Sequence, residues 1–305
     1  MAYPMRQRGL LSGITRPRRV NWIAYLFMLP TVVLYSLFVL YPFVASFSLS
    51  LTDWNGADSV RTFVGFDNYV RLVRDGVLRT ALTHNLIWMV VGSAGGIGLG
   101  FLLALLVWHR PRGFVLFRTV FFLPQVLGAA VVGIIWKLIY RPYKGLLYEL
   151  GETFDIPFLR FPFLGETATA LGAILVAAIW AGAGFFFVIL LAGLQNVDRD
   201  LLDAARVDGA SGAQRLRHVV VPQLAPIFTL VLVLALIGSL NVFDIVWAMT
   251  EGGPANSTEV IGTYSYTKAF LESNVGYAAA LTMVMTALAI GVSAVLIRIR
   301  ARQEV

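Results

Sequence analysis

The chain has 305 residues, of which 58% are apolar and only 13% charged, with a mean hydropathy of +0.76. A soluble domain carries about 45–50% apolar and about 25% charged residues, so a soluble globular protein and a disordered chain are both excluded. The net charge of +7 is spread thinly between apolar stretches rather than clustered, which argues against nucleic-acid binding, and the lack of Cys excludes disulfides and thiolate metal sites.

Six stretches free of charged residues follow one another along the chain. They lie between Arg19 and Asp53, Arg79 and Arg110, Arg118 and Lys137, Glu166 and Asp198, Arg217 and Asp244, and Glu272 and Arg298. The shortest holds 18 residues and the longest 33. A helix needs about 20 apolar residues to cross a bilayer, and a helix satisfies its backbone polar groups internally in lipid. An all-α membrane protein with six transmembrane helices is predicted, at roughly 22–48, 83–108, 116–140, 168–193, 223–248 and 276–298. Residues 1–21 form an N-terminal tail, 22–80 the first span and its loop, 81–298 the transmembrane core, and 299–305 a C-terminal tail.

The tail carries Arg6, Arg8, Arg16, Arg18 and Arg19, and no small-residue cleavage site follows the first apolar run, which therefore reads as a retained span. Span 1 contains Pro30 and Pro42, span 3 Pro124, and span 5 Pro222 and Pro226. Such prolines are ordinary in membrane helices, or they kink the helices and open a central cavity. Span 2 carries Gly92, Gly96 and Gly100, a small-residue stripe that lets another helix approach closely. Both tails and the loops near 109–118 and 195–222 hold 15 of the 24 Lys and Arg, so this side is expected to be cytoplasmic. His84, His109 and His218 are scattered, which suggests neither a metal site nor a His-dependent catalytic group, and no phosphate-binding G-x-x-x-x-G-K-[ST] loop occurs.

Residues 194–222 are too polar to cross a membrane and are patterned. Asp198 is placed to cap a helix with Leu201, Leu202, Ala205 and Val207 on one side. Gly209 permits a sharp turn, and a second short helix leads to Pro222. Ala204, Ala205, Gly209 and Ala210 make a small tip suited to a cleft, and Val at position 209 is expected to clash at the turn and to lose positive φ. Asp203-Ala204-Ala205, then Gly209, then Val219-x-Val221-Pro222 resembles the EAA motif of ABC-importer membrane subunits, with every spacing kept and Asp in place of Glu. Phe121-Phe122-Leu123-Pro124 is similar to the family's third-span entry. Thr250-Glu251-Gly252-Gly253-Pro254 with Ser257-Thr258 resembles the first permease of carbohydrate importers of the maltose and glycerol-phosphate type.

The resemblance implies a type I, MetI-like permease fold and ATP-driven import of a sugar or sugar-like solute, in a prokaryotic inner membrane. It implies as partners a second homologous permease, two ATP-binding cassette subunits that bind the ATP and Mg, and an extracytoplasmic solute-binding protein, with no cofactor and no catalytic residue in this chain. The docking loop would be 198–218, with Asp203, Ala204, Ala205, Gly209, Ala210 and Pro222 as coupling residues. The end of span 5 supplies a solute path: at about 100° per residue, Asn241, Asp244 and Trp247 share one helical face, flanked by Phe243. In the resembling family this helix lines the sugar cavity. For Asp244 the alternative is a place at the outer water interface, and for Trp247 one in the aromatic belt. Two other classes fit less well. An ion-coupled secondary transporter needs intramembrane ionisable groups and repeated halves, whereas only Lys137 and Asp244 lie near span ends. An intramembrane enzyme needs a nucleophile or metal constellation, and none stands out.

Overall fold

A computed structural model describes residues 22–301. The arginine-rich tail 1–21 and residues 302–305 lie outside the described residues. The chain divides into two units, with the boundary between Ala45 and Ser46, inside the first helix. That helix, α1 (Tyr25–Ser50), exposes Leu26, Phe27 and Phe38, with Phe27 at 80%. Such a surface belongs in lipid or against another apolar chain.

After the end of α1 the second unit continues with two short antiparallel strands, β1 (Thr52–Asp53) and β2 (Thr62–Phe63). There follow α2 (Asp67–Arg74), α3 (Gly76–Val107), α4 (Phe114–Val126), α5 (Ala129–Ile139), α6 (Leu146–Thr153) and α7 (Ala170–Gln195). The remainder is α8 (Arg199–Val207), α9 (Gly212–Gln223), α10 (Ala225–Leu240), α11 (Asp244–Thr250), α12 (Ile261–Tyr266) and α13 (Val275–Ala301).

The core is built on α7, whose Ile174, Phe187 and Leu190 are fully buried. The small-residue stripe on α3 does what its spacing predicts. A Cβ at Gly100 would stand 2.8 Å from the Phe187 nitrogen and 2.9 Å from the Ala183 carbonyl, so α3 and α7 meet at backbone distance. The segment before α3 is also tied in. The buried Asn68 amide donates to the carbonyls of Ser50 and Thr52, both at 3.0 Å. Asp75 caps α3 by accepting from the Val77 nitrogen at 2.8 Å, and its other oxygen accepts from the Tyr264 and Tyr277 hydroxyls at 2.5 Å each. Burial pushes the Asp75 carboxyl up, but the two phenols and two backbone N–H groups favour its charge more, and its pKa lies below the ordinary 3.8.

Four described helices are long and apolar enough to cross a membrane, and up to six spans result if each bent pair counts as one. The spans predicted at 116–140 and 223–248 are the bent ones. α4 and α5 meet at 98° and α9 and α10 at 69°. Pro124 removes a backbone donor at the end of α4, and Leu127 and Gly128 are extended. Pro222 and Pro226 flank the second break at Leu224. The fifth predicted span also ends early, at Leu240, and Asn241–Phe243 are not helical before α11 begins. Conversely α3 starts at Gly76 rather than 83, because the Asp75 cap extends the helix past the charged Arg79.

Candidate coupling hairpin and intramembrane cavity

The predicted docking loop is a helical hairpin. The Asp198 carboxylate accepts from the Asp200 nitrogen at 2.9 Å and so caps α8. Gly209 has φ +81°, and the Ala210 nitrogen donates back to the Ala205 carbonyl at 2.9 Å, closing the turn. Ser211 and Gln214 form a reciprocal capping box that starts α9. The Asp198 nitrogen donates to the Gln223 side chain at 3.0 Å, which ties the two feet of the hairpin together. Leu202 and Leu216 pack against the core around Phe187 and Leu190.

The apolar side of α8 is narrower than its sequence suggests. Leu202 and Ala205 turn inward, but Leu201 and Val207 are exposed, Val207 at 88%. Ala204 and Gly209 are exposed with them, and Ala205 and Ala210 are half-buried, so the tip is a small apolar surface. Asp203 is exposed and makes no ion pair among the described residues, and Pro222 is exposed beside the bend. The clash expected from a side chain at position 209 is absent. A Cβ there meets nothing within 4 Å, so only the positive φ opposes substitution.

Between α3, α4, α7 and α10 lies a cavity of about 370 Å³. A π-helical turn, Trp88–Gly92, interrupts α3 and carries Trp88 to its edge. Ser93, Gln125, Phe185 and Ser239 also line it. The walls are mainly apolar, yet the Trp88 Nε1 and Ser93 Oγ are buried without a hydrogen-bond partner. Unpaired buried donors are costly, and neither finds an acceptor among the described residues.

Of the three residues expected to share one helical face, Asp244 and Trp247 lie on α11, whereas Asn241 and the flanking Phe243 precede it. Asn241 is exposed at the end of α10, and its amide donates to the Ile237 carbonyl at 3.3 Å. Asp244 is exposed in the first turn of α11. Phe243 and Trp247 do come together, stacked at 5.9 Å between ring centroids, with the Tyr266 ring 4.6 Å from that of Trp247. None of the four lines the cavity, although Ser239 and Val242 beside them do. Sequence reasoning passed over Ser93, Gln125 and Ser239, single polar residues inside apolar runs.

Residues 96–303 match the family model of the binding-protein-dependent transport system inner membrane component. The chain belongs to this family. Its relatives include the probable ABC transporter permease protein YurN of Bacillus subtilis, 33% identical over 89% of this chain and 93% of the relative. They also include the multiple sugar-binding transport system permease protein MsmF of Streptococcus mutans, 32% identical over 85% of this chain and 88% of the relative. The fold is similar to that of a chain from a bacterial ABC transporter that imports alginate, with TM-score 0.80, 21% identity and coverage of 92% and 96%. This family member is thus a permease subunit with the type I importer fold, and its hairpin lies within the matched residues.

Proposed function

We propose that this permease imports a sugar or sugar-like solute and is driven by ATP bound, with Mg, in two partner ATPase subunits. A second, similar permease completes the path, and an extracytoplasmic binding protein delivers the solute. Both termini and the hairpin face the cytoplasm. The observation that carries this reading is the hairpin itself: a capped, rigidly tied pair of helices that presents small and apolar residues outward at Ala204, Val207 and Gly209. Such a tip fits an ATPase cleft, with Asp203 free to pair with a cation there. Drawing two hairpins together on ATP binding would open the cavity to the outside, and hydrolysis would reset it.

The solute path runs through the 370 Å³ cavity. Trp88 and Phe185 supply ring faces along it, and Ser93, Gln125 and Ser239 are its polar lining residues. Beyond Val242 the stacked rings of Phe243 and Trp247, with the tilted ring of Tyr266 against them, offer flat apolar faces of the kind that sugars cover, with Asn241 and Asp244 beside them. The name of the Streptococcus relative supports a sugar. Purification in mild detergent should recover an ATPase-sized partner with the permease, and uptake should respond to one member of a disaccharide and glycerol-phosphate panel. Isolation of the chain alone, with no uptake of any of these, contradicts the proposal.

A further inference from the structure

A second recess, of about 570 Å³, lies where α3 and α7 end against the hairpin. Arg110, Arg199, Arg206 and Arg215 line it together with His109, and Asp203 is the one carboxylate among them. Arg199, Arg206 and Arg215 make no ion pair among the described residues. The Arg215 Nε is buried with no acceptor among the described residues. Leu194, Leu202, Leu216 and Val220 line the recess among these arginines. Trp108 stands at its edge and donates to the Leu194 carbonyl at 2.7 Å, an amphipathic ring at the end of an apolar helix.

Four guanidinium groups around one recess repel each other unless an anion joins them. Guanidinium forks match the oxygens of a phosphate, and apolar side chains among them suit the glycerol and first methylenes of a lipid. We infer that this recess binds a phosphate group, from an anionic phospholipid of the adjoining leaflet or from a free phosphate. The bound phosphate neutralises the inner side of α8 and holds the hairpin against α3 and α7, so that it moves as one body with the bundle. This rests on the reading of the hairpin as the coupling element.

The test uses the whole importer in nanodiscs of phosphatidylcholine alone, with phosphatidylglycerol, or with inorganic phosphate added. Native mass spectrometry reads retained lipid, and solute-stimulated ATP hydrolysis reads coupling. The parent should retain phosphatidylglycerol, and its coupled hydrolysis should rise several-fold with phosphatidylglycerol, or with inorganic phosphate if the free anion is the ligand. The double variant Arg199→Gln/Arg206→Gln should lose both retention and response. Arg199→Lys/Arg206→Lys, which keeps the charge but not the fork, should lose most of the response even if the Gln pair fails to assemble. Equal responses in parent and Lys variant, or a parent that retains no phosphatidylglycerol and whose solute-stimulated hydrolysis is the same in all three discs, overturn the inference. A parent that retains lipid but shows no solute-stimulated hydrolysis in any disc sinks the coupling reading and leaves the phosphate site standing.

Discussion

Two residues show how a single position is decided by chemistry that composition does not reveal. Glu259 is only 4% exposed, its Oε1 has no hydrogen-bond partner, and it sits against Gly252. Burial pushes its carboxyl above the ordinary 4.5, against the opposing pull of Thr263 and Lys268. A raised carboxyl pKa means that the folded protein holds this proton more tightly than the unfolded chain. Its contribution to stability therefore grows as pH falls and levels off below the unfolded value. Glu259→Gln should raise the melting temperature in detergent at about pH 7 and flatten the gain seen on going to about pH 5. A lower melting temperature at neutral pH would contradict this. Gly209 is the opposite case, legible in the sequence from its place in the motif. Its φ of +81° with open space around it means that Gly209→Val costs about 1–2 kcal/mol of backbone strain and no steric clash. Gly209→Asn, which tolerates that conformation, should keep most of the uptake that Val loses. Equal loss in both variants would mean that the tip needs smallness rather than its turn.

Elements were legible where a local signal marks them. The Asp198 cap, the Gly209 turn and the stripe of Gly96 and Gly100 each appear in the structure where sequence places them. Two of the breaks were legible only as one of two readings of Pro124, Pro222 and Pro226, and the break after Leu240 not at all, because hydropathy reads apolarity and not backbone hydrogen bonding. Leu127-Gly128 and Asn241–Phe243 lie within stretches free of charge while the chain leaves the helix. For this reason Asn241 lies off the helix that carries Asp244 and Trp247, and the polar residues lining the cavity are Ser93, Gln125 and Ser239. The α3–α7 contact can be tested directly. Gly100→Val should destabilise by about 1–3 kcal/mol through overpacking against the α7 backbone. Gly98→Ala, where a Cβ meets nothing within 4 Å, should melt with the parent. Equal melting of the two variants would show that the helices part easily.

For the whole molecule, the open choice is how many times the chain crosses the membrane. At about 1.5 Å per residue, α4 and α5 are arms of about 20 and 16 Å. Set at 98° they reach less far than a straight span. If both bent pairs returned to the side they came from, four spans would remain. Four and six are both even, so a reporter after Val305 gives one answer for both. The internal loops differ. With six spans the hairpin shares the side of the termini and the loop around Tyr143 lies opposite. With four, the two exchange sides, and Arg199, Arg206, Arg215 and Arg217 face outward. That arrangement reverses the usual preference of Lys and Arg for the cytoplasm, so six spans are expected. The chain has no Cys, which makes it a clean background for labelling. Tyr143→Cys, at a position 76% exposed, should react with a membrane-impermeant maleimide in intact cells. Ala213→Cys, exposed on the hairpin, should react only after permeabilisation. The reverse pattern would make both bent pairs re-entrant and place the hairpin beyond the reach of any cytoplasmic ATPase.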